Sequence, residues 1–193
     1  MAEANGDDVV DVLILGAGSG GYACALRAAQ LGLSVALVEE SKVGGTCLHV
    51  GCIPTKALLH AAEVADATRE ADTFGVRATY DGIDAVGVRN YADGVVSRLF
   101  KGLTGLIKSR GIRVVEGRGR LTGPLQVTVD GPEGAVTLTG RNVVLATGSA
   151  PRLLPGIEID GTRVLTSDEA LRLDRVPTSA IVLGGGVIGG GFA

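Results

Sequence analysis

The feature that most constrains the fold is a short apolar, β-branched run, Val9–Leu15 (VVDVLIL), that leads directly into GAGSGG. Such a run predicts a buried parallel strand. The alanine-rich segment that follows, Tyr22–Leu31, has strong helix propensity. Gly32 closes that helix, and Ser34–Val38 (SVALV) predicts a second buried strand. Strand, helix and strand within about thirty residues require a right-handed crossover, so the chain is α/β and built on a parallel sheet. Gly16, Gly18 and Gly21 form Gly-x-Gly-x-x-Gly at the turn. The first permits the tight turn, the second lets backbone approach a pyrophosphate, and the third lets helix and strand pack closely. The helix N-terminus would offer N–H groups and its positive dipole end to the phosphates. Glu39, 18 residues past Gly21 at the end of the second strand, is spaced to accept a ribose hydroxyl.

Glycine accounts for 31 of the 193 residues, roughly twice the usual share of about 7%. The glycines cluster at 16–21, 44–51, 184–186 and 189–191, each beside an apolar run, as expected where backbone must approach a ligand closely. An apolar share of 46% fits a globular chain with a core. A net charge of −3 gives no electrostatic footprint for nucleic acid or an anionic membrane. No segment approaches the roughly 20 apolar residues that a membrane span needs. Residues 1–8 read as a disordered tail, and the expected setting is cytoplasmic.

Further along, Ala57–Ala71 predicts a helix, and residues 84–110 a longer one interrupted near Gly94 or Gly102. From Ile112 to Thr139 short β runs alternate with turn signals such as Gly123-Pro124, predicting a strand and then a small antiparallel meander. Arg141–Ala146 predicts a return to a buried strand that ends at Thr147-Gly148. Pro151, Pro155 and Pro177 punctuate a connecting region, and Ala180–Leu183 predicts one more strand before GGGVIG. The expected organisation is a tail at 1–8, a dinucleotide-binding domain at 9–150, a connecting segment at 151–179, and the start of a second such domain at 180–193.

Cys47 and Cys52 stand as Cys-x-x-x-x-Cys in GGTCLHVGCIPTK. On a straight helix an i, i+5 pair is separated by roughly 7.5 Å of rise, beyond the ~4.4–6.8 Å usual between disulfide Cα atoms. Gly51 and Pro54 make the necessary distortion feasible. So small a loop contributes only about 2 kcal/mol of chain-entropy stabilisation, and a passive disulfide has little use in a reducing cytoplasm. A catalytic dithiol is the better reading. A metal site is disfavoured because only His49, His60 and distant Cys24 could complete it. An iron–sulfur loop would need a further cysteine where Thr55 stands. Cys24 reads as a small buried hydrophobe.

The string GGTCLHVGCIPTKALL resembles the active-site segment of the flavin-dependent pyridine nucleotide–disulfide oxidoreductases. GAGSGG, VVLATGS at 143–149, LPGIEIDG at 154–161, LTSDEAL at 165–171 and the terminal IVLGGGVIG extend that resemblance along the chain. Ile53–Leu59 is most similar to the lipoamide dehydrogenase branch. The resemblance implies a Rossmann-like FAD-binding domain, with FAD held by Gly16, Gly18, Ser19, Gly20, Gly21 and Glu39. Further flavin contacts would fall on Gly45, Thr46, Lys56, the backbone near Gly119, Thr147 and Gly148. Cys47 would be the interchange thiol, Cys52 the flavin-proximal thiolate, and Lys56 a cation beside the reactive flavin nitrogen. The implied reaction oxidises protein-bound dihydrolipoamide with NAD⁺ as acceptor. The implied partners are the lipoyl domains of 2-oxoacid dehydrogenase or glycine cleavage complexes, with a homodimer as the working assembly.

Gly184, Gly186 and Gly189 repeat the glycine motif, and by resemblance they would open the NAD-binding domain. The position where the family's acidic partner of Lys56 is expected holds Gly191. His49 stands where the family commonly has Asn and is given no role. The expectation is therefore an N-terminal fragment of a dehydrogenase. The alternatives are a truncated, non-catalytic flavin-binding module and another disulfide reductase of the same family.

Overall fold

A computed structural model describes residues 9–192, so the tail expected at 1–8 lies outside the described residues. Their chain forms two compact units: 9–48 with 98–149, and 49–97 with 150–192.

In the first unit, β1 (Val9–Leu15), α1 (Ser19–Gln30) and β2 (Val35–Glu39) form the expected crossover, with β1 and β2 paired in parallel. Four more strands complete one sheet: β3 (Arg113–Glu116), β4 (Arg118–Gly123), β5 (Gln126–Gly131) and β6 (Gly134–Leu145), in the order β3-β2-β1-β6-β5-β4. The fold is thus α/β, with a parallel part and an antiparallel part.

The meander and the return strand, expected as separate elements, share the single 12-residue strand β6. Its first half pairs antiparallel with β5 and its second half parallel with β1. Gly140 lies between the two halves, and a Cβ there would come within 2.6 Å of the Leu13 Cβ. A bare backbone at that point lets one strand serve both pairings.

Alternate residues of the central strands feed two cores, as the two-residue period of a strand requires. Val12, Ile14, Val35 and Leu37 pack with Ala25 and Ala28 of α1 and with Ile107. Leu13, Ala36 and Val38 pack on the other side with Val127, Val129 and Leu138. The antiparallel strands therefore fold back across the second face. Burial on both faces explains why the central strands read as nearly unbroken apolar runs.

In the second unit, α3 (Cys52–Arg69) begins five residues before the expected helix, because Cys52, Ile53 and Pro54 supply its first turn. Proline is tolerated there, where no intrahelical acceptor is available for its missing N–H. Between the units in sequence, the segment around Cys47 forms a short helix, α2 (Gly45–His49). Then α4 (Ala85–Ser109) runs for 25 residues without the expected break near Gly94 or Gly102. Glycine lowers helix propensity by about 1 kcal/mol but does not stop a helix. Apolar side chains such as Ala92 and Ile107 are buried and hold it in place.

A four-residue helix, α5 (Ser167–Ala170), is closed by a capping box in which Thr166 and Glu169 bond reciprocally. The Thr166 hydroxyl and N–H both donate to Glu169, holding its carboxyl below the usual range. Asp160 accepts from the N–H groups of Thr162, Arg163 and Val164, which likewise holds its pKa low. Both contributions are present above the ordinary carboxylate pKa and fade as pH falls through the lowered one.

The strand expected at Ala180–Leu183 does not form. A strand needs a neighbour for its N–H and C=O groups, and among the described residues none pairs with this stretch. A short helix, not expected from the sequence, follows it as α6 (Val187–Phe192). No described helix is long and apolar enough to cross a membrane.

The glycines separate into two kinds with opposite expected responses. A Cβ at Gly105, exposed on α4, would meet nothing within 4 Å. A Cβ at Gly21 would overlap the Gly16 carbonyl. Gly105→Ala should therefore stabilise the protein by about 0.5–1 kcal/mol, and Gly21→Ala should destabilise it by at least ~1–3 kcal/mol. Urea unfolding midpoints measure both.

Candidate dinucleotide site and redox segment

The candidate site sits where β1 ends between β2 and β6, the switch point at which open α/β sheets bind ligands. Its geometry follows from close backbone approach. Gly16 has φ +100°, and a Cβ on it would overlap the Ala146 carbonyl at the end of β6. The Ala146 N–H donates to the Leu15 carbonyl at 2.8 Å, and the Gly16 N–H to the Val38 carbonyl at 2.9 Å. These bonds bring the β1 turn, the end of β2 and Thr147-Gly148 together. Gly21 is buried against Gly16, seating the first turn of α1 directly on the loop.

Gly18 precedes α1 without a side-chain cap, and no acidic residue stands in the first helical turn. The first N–H groups of a helix have no intrahelical acceptor, so this end remains suited to an anion. Ser19 and Gly20 are exposed on it. A second glycine loop closes against the first. The Gly44 N–H donates to the Ala17 carbonyl at 2.8 Å, and a Cβ on Gly45 would lie 2.7 Å from the Gly18 Cα. Two backbones thus meet without intervening side chains.

Glu39 ties the loop to the end of β2. Its Oε2 accepts from the N–H of buried Ala17 at 2.8 Å, and its Oε1 from the Ser41 N–H at 2.9 Å. A carboxylate has about four lone-pair positions, so each oxygen retains capacity for a hydroxyl ligand. Beside Glu39 opens a cavity of about 630 Å³, reached also by Ser41, Lys42, Phe100, Thr104 and Glu116. The sequence reading missed this cavity. Its walls come from residues more than fifty positions apart, which the pairing of β2 with β3 and the packing of α4 bring together.

Among the other expected site residues, Thr46 is exposed and Cys47 half-buried on α2. Cys52 is an exposed thiol and opens α3, where Lys56 is also exposed. The Thr55 hydroxyl donates to the Gly51 carbonyl at 2.7 Å, closing that first turn. Cys24, expected as a small buried hydrophobe, is only half-buried, with its side chain packed against the α1 core. Gly119 is half-buried on β4, and a Cβ there would crowd Val38 at 3.0 Å. Its lack of a side chain already serves the fold-back of the antiparallel strands. Gly184 and Gly189 reproduce the relation of Gly16 to Gly21: φ is +115° at Gly184, and a Cβ on Gly189 would overlap its carbonyl. Gly186 immediately precedes α6. The described residues contain no cluster of three or more His, Cys, Asp or Glu able to hold a metal.

The family model for pyridine nucleotide-disulphide oxidoreductases matches residues 10–193. The chain belongs to that family. A dihydrolipoyl dehydrogenase of Bacillus subtilis is 49% identical over 188 residues, covering 93% of this chain and 40% of the relative. One from Chlorobaculum tepidum is 44% identical, covering 93% and 38% respectively. Among solved structures, LpdA of Mycobacterium tuberculosis matches 86% of this chain and 38% of its own at TM-score 0.79 and 26% identity. The HOCl-induced flavoprotein disulfide reductase RclA of Escherichia coli matches 94% and 38% at TM-score 0.78 and 28% identity. The chain therefore spans about two fifths of the length of these relatives. Family membership implies use of FAD and a nicotinamide dinucleotide, and the bare-backbone cradle, the uncapped helix end and the cavity beside Glu39 fit a dinucleotide.

Removing the Glu39 carboxylate should matter even without ligand. Glu39→Ala leaves the buried Ala17 N–H without its acceptor, which should cost about 1–3 kcal/mol. Glu39→Gln retains one acceptor oxygen and should lose less. Urea unfolding of ligand-free protein reads the difference, and equal stabilities for all three chains would contradict the tie.

Proposed function

We propose that this chain is the FAD-binding and dithiol portion of a dihydrolipoyl dehydrogenase. The observation that carries the reading is the glycine cradle closed by Glu39, directly followed by the segment bearing Cys47 and Cys52. The extent of similarity to dihydrolipoyl dehydrogenases supports the choice of branch. In this reading the first turn of α1, with Gly18, Ser19, Gly20 and Gly21, receives the FAD pyrophosphate, and Glu39 receives a ribose hydroxyl. Gly45 and Thr46 border the pyrophosphate from α2. Gly119, Thr147 and Gly148 contribute backbone, and Lys56 supplies positive charge near the flavin ring. FAD would supply two-electron chemistry linking thiol exchange to hydride transfer.

Starting from a Cys47–Cys52 disulfide, one dihydrolipoamide sulfur would attack Cys47 and release Cys52 as a thiolate, and the second substrate sulfur would then displace Cys47 and close the dithiolane. Each dihydrolipoamide oxidised to its dithiolane leaves the pair as two thiols, and the electrons pass on to NAD⁺. Gly184, Gly186 and Gly189 would begin the nicotinamide dinucleotide site. Lipoyl domains of 2-oxoacid dehydrogenase or glycine cleavage complexes are the proposed partners, a homodimer the working assembly, and the cytoplasm the setting.

The test is a chain carrying this sequence at its N-terminus and completed with the remaining length of the Bacillus subtilis relative. It should reduce NAD⁺ with dihydrolipoamide. Cys47→Ser and Cys52→Ser should each abolish steady-state turnover, because exchange needs both an attacking and a resolving sulfur. Only Cys47→Ser should retain a long-wavelength charge-transfer absorbance. Its survival in Cys52→Ser would reverse the assignment of the two sulfurs. Turnover with glutathione disulfide and not with dihydrolipoamide would move the chain to another branch of the family.

A further inference from the structure

The Gly-x-Gly-x-x-Gly turn and the Cys47 helix meet directly through their backbones, and the meeting is asymmetric. A Cβ on Gly18 would lie 3.9 Å from the Gly45 Cα, an ordinary separation, whereas a Cβ on Gly45 would lie 2.7 Å from the Gly18 Cα. Gly45 also has φ +56°, a conformation that costs an L-residue extra. Immediately before it, Gly44 has φ +110°, and a Cβ there would crowd the Leu48 Cβ at 2.9 Å. Leu48 is the buried anchor of α2, one residue beyond Cys47. The Gly44 N–H bond to the Ala17 carbonyl completes the joint. Three features therefore fix α2 on the phosphate loop: one hydrogen bond, one close approach of two bare glycine backbones, and one leucine under a glycine.

We propose that Gly45 is a positioning residue for Cys47: its missing side chain seats the Cys47 helix on the dinucleotide loop and sets the exposure of that sulfur. The role rests on the reading of Cys47 as the interchange thiol, but it acts in the ligand-free chain. A methyl group at Gly45 meets backbone, which cannot turn aside as a flexible side chain can. The helix must shift away from the loop, two residues from the sulfur. Cys24 on α1 lies outside this joint and reports on general loosening.

The experiment compares iodoacetamide alkylation of Cys24, Cys47 and Cys52 by mass spectrometry in the reduced, ligand-free 193-residue chain. The proteins are wild type, Gly45→Ala and Gly105→Ala, the last a substitution into open space on α4. Gly45→Ala should raise the Cys47 rate at least threefold relative to Cys24 in the same molecule, and Gly105→Ala should leave that ratio unchanged. An unchanged ratio in Gly45→Ala would overturn the proposal. So would a parallel rise at Cys24 and Cys47, which marks global loosening. Should Gly45→Ala fail to fold, Leu48→Ala in native buffer tests the same joint. Leu48→Ala releases the anchor without touching the loop and should raise the ratio in the same direction; no rise would overturn the proposal. FAD binding to wild type is measured in parallel. Its absence would count against the dinucleotide reading, while the alkylation ratio still decides the role of Gly45.

Discussion

The structure depends on how closely three stretches of backbone approach at the end of β1. Gly16 lies against the Ala146 carbonyl, Gly21 against Gly16, and Gly45 against Gly18. Interiors are packed too densely to absorb a misplaced methyl group at such points. If α1 could not seat against β1, its first turn would not face the loop. If β6 could not reach Gly16, Thr147 and Gly148 would stand elsewhere. The close approaches therefore set the positions of the helix end, the Glu39 carboxylate and the segment bearing Cys47.

Burial on both faces lets so small a sheet carry the site. The α face of the sheet is covered by Ala25, Ala28 and Ile107, and the other by the chain's own antiparallel strands through Val127, Val129 and Leu138. At the opposite end from the site, Asp11 accepts from both the N–H and the hydroxyl of Ser34, which lowers its pKa. The Asn142 side chain donates to the Asp11 carbonyl. Polar groups thus align β1, β2 and β6 at one end, while bare backbone aligns them at the other. The candidate site lies at the end with bare backbone.

Much of this was legible in the sequence because it rests on local rules. A strand, a glycine turn and an alanine-rich helix fix the crossover, and Glu39 follows from its spacing to the turn. The segment around Cys47 and Cys52 carried the family resemblance by itself. The misreadings arose where local signals met long-range packing. Gly94 and Gly102 looked like interruptions, yet buried residues on α4 carry the helix through them. The segments around Val136 and Val143 looked like two strands, and one strand with two partners accounts for both. Ala180–Leu183 has a strand's composition but no neighbour among the described residues, and composition without a ladder makes no strand. The cavity beside Glu39 depends on residues far apart in sequence, and no local pattern announces it.

In the proposed reading the cradle takes the pyrophosphate on α1 and a ribose on Glu39, so it must distinguish a dinucleotide from a mononucleotide carrying the same ring. Equilibrium dialysis of the reduced chain against FAD and FMN, under identical conditions, measures that distinction. FMN keeps the flavin ring but lacks the adenosine and the second phosphate. FAD should bind at least a hundredfold more tightly, about 2.7 kcal/mol by the relation between affinity and free energy. Equal affinity for the two flavins would contradict the dinucleotide cradle, because the glycine turn and Glu39 would then contribute nothing to recognition.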